Sequence, residues 1–161
     1  MPDKRQYVLR PFRRGDADAL IDVTRLAIER IGRLAYSDAQ LTVWLANQEN
    51  DARFSNRVSN GHRIVAACDK QDKPAAYALW EPNGHFDMLY CHPDHAGRGL
   101  AGQLIERVLS DAKALHLERI WTEASDLARQ IFERAGFAML GRREFDLRGV
   151  PIHNWSMEAR L

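Results

Sequence analysis

Cysteine is nearly missing from this 161-residue chain: only Cys68 and Cys91 occur. They make neither a disulfide framework nor a paired metal-ligand motif, and a reducing cytoplasm is the compartment that such usage fits best. Long apolar runs are missing too. No window approaches the roughly 18 apolar residues of a membrane-spanning helix, and no charged-then-apolar leader precedes Val8, so a soluble protein without a membrane partner is expected. Nor does one sign of charge dominate, since 23 Lys and Arg against 22 Asp and Glu leave a net charge of +1. Only four of the basic residues are lysine (Lys4, Lys70, Lys73 and Lys113), which leaves 19 of the 23 as arginine. These arginines are scattered among acids instead of forming a stripe, so nucleic acid is not implied. Linkers, repeats and low-complexity segments are absent as well. What remains is the expectation of one domain over residues 1–161, long enough for a single core.

The hydrophobic period switches repeatedly between that of a strand and that of a helix. Tyr7 to Pro11 reads as an opening strand, and Gly15-Asp16 then caps a helix whose Ala19, Leu20, Val23, Leu26, Ala27 and Ile31 share a face. Ser37 caps a second helix that turns Leu41, Trp44 and Leu45 inward. In the polar stretch from Asn47 to Gly61, Phe54 and Val58 at helical spacing predict a short helix. His62 to Cys68, Pro74 to Trp80 and His85 to Cys91 are strands joined by short turns, hence an antiparallel meander. A helix begins at Gly99. The strand from Arg119 to Trp121 follows a helical crossover and must return parallel to His85–Cys91. A helix from Ser125 to Gly136 and a hairpin turning at Arg148-Gly149 close the chain.

The richest segment runs from Cys91 to Leu104. There a strand stops at Pro93, and Gly97, Gly99 and Gly102 precede an amphipathic helix. Glycines without a Cβ allow close backbone approach, and the unpaired N–H groups of a first helical turn point at negative charge, so a phosphate or pyrophosphate is the natural guest. Gly97-x-Gly99-x-x-Gly102, with Glu123 further on, also satisfies a dinucleotide fingerprint. The fit is poor, because Pro93 to Ala96 separate strand from glycine and only one crossover is legible.

A better match is the GNAT superfamily of N-acetyltransferases. Its Gln/Arg-x-x-Gly-x-Gly/Ala motif is resembled by Ala96-Gly97-Arg98-Gly99-Leu100-Ala101. Its second block is resembled by Ser125-Asp-Leu-Ala128-Arg-Gln-Ile-Phe132-Glu-Arg-Ala-Gly136-Phe137. Tyr7 to Leu20 is similar to the family's opening strand and helix. The resemblance implies an α/β (α+β) fold, with a mixed, mainly antiparallel sheet flanked by helices and a splayed parallel strand pair at the cofactor slot.

It further implies acetyl transfer from acetyl-coenzyme A to a primary amine of a small molecule or peptide, by direct attack. Residues carried over for the cofactor are Leu89, Tyr90 and Cys91 on the strand, Ala96 to Gly102 in the loop, with Arg98 as added charge, and Ser125 and Phe132 in the second block. Pro93, which has no N–H, is expected to help the strand part from its parallel neighbour. Asp87 and Glu81 are the candidate bases, and Asp87 shares strand parity with Leu89 and Cys91. Two positions depart from the family pattern. Ala96 stands where a glutamine or arginine is usual, and Phe132 where a tyrosine commonly protonates the departing thiolate, which leaves Tyr90, Tyr36 or water for that task. Tyr36, Trp44 and Trp80 are candidates for an acceptor pocket, with plain core packing as the alternative.

His92 and His95 beside Cys91 fall short of a zinc set, so no metal is expected. A nucleophilic Cys91 is also conceivable, but His92, its neighbour on a strand, would point to the other face, and a small apolar wall is the plainer reading. Phe132 leaves a second functional reading open, a catalytically silent module that binds or senses acyl-coenzyme A. Oligomeric state, a homodimer included, is not encoded legibly.

Overall fold

The computed structural model describes residues 6–48 and 51–161. A seven-stranded sheet organises them: β1 (Val8–Pro11), β2 (Arg63–Cys68), β3 (Pro74–Trp80), β4 (His85–Cys91), β5 (Arg119–Ala124), β6 (Ala138–Leu147) and β7 (Val150–Arg160), in the spatial order β1-β2-β3-β4-β5-β7-β6. Every pairing is antiparallel except β4 with β5. That exception follows from α4 (Leu100–Ala114), the crossover helix between them. The mixed, mainly antiparallel sheet is thus the one the sequence predicts.

Two layers of helix cover the sheet. On one face α4 and α5 (Asp126–Arg134) bury Leu100, Leu104, Ile105, Val108 and Phe132 against Val65, Trp80, Phe86 and Ile120. On the other lie α1 (Ala17–Leu26), α2 (Asp38–Ala46) and α3 (Asp51–Ser59). Leu20, Val23 and Phe54 pack there on Tyr77, Leu79 and Met88, and Ile28 and Leu41 pack near Ile152. Each large apolar side chain withdrawn from water contributes about 1.5–3 kcal/mol. The four that α4 buries at 2 % exposure or less, Leu100, Leu104, Ile105 and Val108, therefore fix where that helix begins.

Local signals account for most boundaries. Ser37 accepts from the Gln40 N–H while Gln40 Oε1 accepts from the Ser37 N–H, a complete capping box for α2. Asp16, expected as the cap of α1, does something else. Its carboxylate accepts from the Arg13 N–H and from the buried Arg10 guanidinium at 2.8 and 2.9 Å. In the stretch from Asn47 to Gly61 a helix forms as expected, although residues 49 and 50 lie outside the described residues. Beyond Leu26 the first helix widens into a π turn, Ala27–Ile31, before a tight turn at Gly32–Leu34. The sequence periodicity does not announce that change.

Candidate active site

Parallel pairing of β4 with β5 is limited to His85↔Trp121 and Phe86↔Thr122, although both strands continue. Two local features end it. Thr122 Oγ1 donates to the Phe86 carbonyl at 2.8 Å, which takes the acceptor that the next rung would use. Asp87 is then an extra residue, because Trp80 pairs with Phe86 and Leu79 with Met88. Such a bulge bends the strand that carries it. Pro93, expected to cause the parting, lies six residues past the point where it begins.

The bulge also overturns the expected strand parity. Phe86 packs with Leu89 and Cys91 in the α4–α5 layer, whereas Met88 and Tyr90 pack in the opposite layer. Asp87 does not share the side of Leu89 and Cys91, and its carboxylate accepts from Arg57 Nη2 of α3.

The gap between the strands holds a cavity of about 310 Å³. Leu89 and Cys91 form one wall, Ala124, Ala128, Ile131 and Phe132 the other, and Ala27, Ile28 and Ile31 of the widened turn and Gly32 just after it cover it. Ala96 and Ala101 lie at its glycine-loop end. The His92 N–H closes the β3–β4 ladder on the Ala75 carbonyl at 2.8 Å. Antiparallel alternation therefore turns the N–H and C=O groups of Leu89 and Cys91 toward the gap and those of Tyr90 toward β3. Tyr90 contributes its side chain instead.

At the loop, Gly97 (φ +76°) and Gly99 (φ +78°) adopt left-handed backbone, and a Cβ built on either would meet nothing within 4 Å. The space in front of both is open. The N–H groups from Gly97 to Gly102 make no backbone hydrogen bond among the described residues, so they are unpaired donors at the start of α4. This cradle fits a pyrophosphate. Leu100 offers only its amide, since its side chain is buried in the core. Arg98 is held to one side, its Nη1 donating to the Tyr7 hydroxyl at 3.0 Å, and that hydroxyl is hydrogen-bonded to His95 Nδ1 at 2.6 Å.

A second cavity, of about 410 Å³, opens on the other side of β4. Tyr36, Arg53, His85, Arg143, Phe145, Ile152 and Asn154 line it, and Trp44, Asp87, Met88, Tyr90, Glu123 and Ser125 line both cavities. Those six residues are the junction. Ser125 caps α5 by accepting from the Ala128 N–H. Tyr90 accepts from Trp44 Nε1 at 3.2 Å, and burial pushes its hydroxyl up to about 12, so it stays a protonated donor. Tyr36 accepts from the Asp126 N–H at 3.0 Å, its own ionisation pushed upward by burial. Trp80 does not belong here: it is wholly buried beneath α4, in the core layer away from the second cavity.

A charged cluster borders the junction. Arg57 Nη2 bridges Asp87 and Glu81, the latter at 3.2 Å. Glu81 lines neither cavity. His85 Nε2 donates to Glu123 at 2.6 Å, while its Nδ1 lies 3.4 Å from Glu81. The Glu123 bond, working against burial, raises the imidazole to about 9, and the same bond holds the Glu123 carboxyl below its ordinary range. His85 is thus a cation at neutral pH. Burial pushes the Cys91 thiol up to about 11, and its Sγ donates to the His92 carbonyl, which suits a wall and not a nucleophile. Among the described residues no group of His, Cys, Asp or Glu is arranged to hold a metal ion.

His85, Arg143 and Asn154 carry no motif, and the sequence reading missed them. Glu123 was legible only as the acid of the dinucleotide fingerprint. Their meeting depends on strand pairings across the sheet.

A splayed parallel pair beside a glycine cradle is the arrangement of an acyltransferase of the N-acetyltransferase type, and comparison with known proteins agrees on that class. Residues 33–159 match the family described as acetyltransferase (GNAT) domain, and the chain belongs to that family. It is similar to the uncharacterized N-acetyltransferase YafP of Escherichia coli K12, at 24% identity over 94% of this chain and 95% of that one. Among solved structures, a GCN5-related N-acetyltransferase (aminotransferase, class-II) from Rhodopseudomonas palustris matches with a TM-score of 0.87 and 29% identity, covering 97% of this chain and 96% of that one. The PaiA N-acetyltransferase from Thermoplasma acidophilum, in complex with coenzyme A, matches with a TM-score of 0.75 and 14% identity, over 96% and 99% of the two chains. A phosphinothricin acetyltransferase from Sinorhizobium meliloti, in complex with acetyl-coenzyme A, gives 0.73 and 17%, over 97% and 89%. The last two likenesses speak for the fold alone.

Proposed function

We propose that the protein moves an acetyl group from acetyl-coenzyme A to the primary amine of a small molecule or peptide, by direct attack. The observation that carries this reading is the meeting of two cavities at Trp44, Asp87, Met88, Tyr90, Glu123 and Ser125, one backed by the glycine cradle and the other open to a separate guest. Relatives of the same fold solved with coenzyme A or acetyl-coenzyme A support the choice of donor.

The donor supplies an acyl thioester, electrophilic at carbon. The cradle amides and the start of α4 hold its diphosphate, and the free edge of Leu89 and Cys91 holds the amide arm. The amine nitrogen bonds to the acyl carbon, the C–S bond breaks, and the proton lost by nitrogen matches the one gained by sulfur. Asp87 is the acceptor we assign to the first proton, directly or through water, since it lines both cavities. Glu81 acts behind it through Arg57. Tyr90 is the donor we assign to the sulfur, because its oxygen already accepts from Trp44, its own hydrogen has no acceptor among the described residues, and it lines both cavities.

The test is thiol release from acetyl-coenzyme A across a library of amines, with the mass of the acetylated product as confirmation. Amine-dependent release, with no acetyl adduct on the protein when amine is withheld, is the expected result. Coenzyme A binding without release for any amine would favour the silent sensing module, which Phe132 in place of the usual tyrosine motivates.

A further inference from the structure

The second cavity carries more charge than a simple amine requires, and its arrangement names a substrate class. This step rests on the reading just given. Hairpin β6–β7 turns one face into the cavity: Arg143 and Asn154 are cross-strand partners nearest the junction, Phe145 and Ile152 are the next such pair, and Leu147 lies beyond. The wall is therefore polar near the reacting centre and apolar farther out.

Cations near the junction outnumber acids by one. Glu81, Asp87 and Glu123 carry three negative charges, and Arg53, Arg57, His85 and Arg143 four positive ones, with His85 protonated at neutral pH. Asp87 is taken by Arg57, and Glu123 by His85 at 2.6 Å. Arg143 reaches Glu123 only at 3.6 Å, with half of its side chain exposed. Beside Arg57 and His85 it is held more loosely, and its guanidinium presents a fork that matches a carboxylate. The Asn154 side-chain oxygen, meanwhile, is enclosed and accepts from nothing among the described residues. A buried acceptor in that state is destabilising until a donor arrives.

An ammonium alone would add a further positive charge to a cluster that already carries one in excess. A zwitterion adds none. We infer that the acceptor is an amino acid with an apolar side chain: its carboxylate is read by Arg143, its amine lies toward Asp87, Glu123 and Asn154, and its side chain packs along Phe145 and Ile152. Arg143 touches Glu123, which lines both cavities, so carboxylate and amine can be only a few bonds apart.

The experiment compares leucine, leucinamide and 3-methylbutylamine, a set that keeps the apolar part and removes the carboxylate in two ways, by thiol release with saturating acetyl-coenzyme A. Wild type is expected to favour leucine over either analogue by about tenfold or more in kcat/KM, the scale of one charge-assisted contact. Arg143→Gln should collapse that preference to within about threefold, and Arg143→Lys should keep part of it. Circular dichroism checks that both variants fold. Equal or better use of leucinamide by wild type, or a preference that survives Arg143→Gln, overturns the inference while leaving an amine acetyltransferase in place. Absence of release from every amine, here and in the wider library, instead removes the reading beneath it.

Discussion

Tyr90 occupies the one position where an aromatic side chain on β4 reaches both cavities. Its hydroxyl accepts from Trp44 Nε1, and burial keeps it protonated far above neutral pH. A phenol in that state keeps its hydrogen at neutral pH, so it can present it to the departing thiolate and does not serve as a base. Phe132, by contrast, is packed edge-to-face against Phe86 and Phe137 and offers the junction only a ring. Replacing Tyr90 by Phe keeps the packing and removes the donor. Turnover is expected to fall by about 10²-fold or more, with coenzyme A affinity within about twofold of wild type. Single-turnover kinetics alongside calorimetry separates the two effects, and an undiminished rate would hand the proton to water.

At the scale of elements, the glycine loop and α4 act as one device. Burial of the helix's apolar face sets its starting point, and Gly97 and Gly99 aim the free amides by adopting left-handed backbone. Gly99→Ala and Gly99→Glu impose the same backbone strain, roughly 1–2 kcal/mol for a side chain in that conformation, but only glutamate places a negative charge before the diphosphate. Calorimetric titration with coenzyme A should show Gly99→Glu weaker than Gly99→Ala by about tenfold or more. Equal affinities would mean that the loop does no more than start a helix.

This device was legible in the sequence because it is local: glycine spacing, a following amphipathic period and the Ser125 cap all lie within a few residues of what they control. The slot beside it was legible only in outline. Its opening depends on the Thr122 hydroxyl meeting the Phe86 carbonyl and on the bulge at Asp87, both set by pairings between distant strands. The same reason hid His85 and Glu123, 38 residues apart, and misplaced Trp80, whose side of the sheet follows from the register of β3 and not from its aromatic character.

At the scale of the whole molecule, the sheet serves as a partition. β4 stands between a slot covered by the turn Ala27–Ile31 and walled by α5, and a chamber walled by the C-terminal hairpin, and six residues are common to both. Direct transfer requires both guests to be present together. The most direct test of that requirement is the affinity of a bisubstrate compound, coenzyme A joined through a –CH2–CO– bridge to the nitrogen of an amine the enzyme acetylates, measured by calorimetry against coenzyme A alone. Binding tighter by about 10²-fold or more is predicted, since one molecule then fills both cavities without a second loss of translational freedom. Affinity no better than that of coenzyme A would contradict the account, because it would mean that the second cavity does not receive the acceptor beside the thioester.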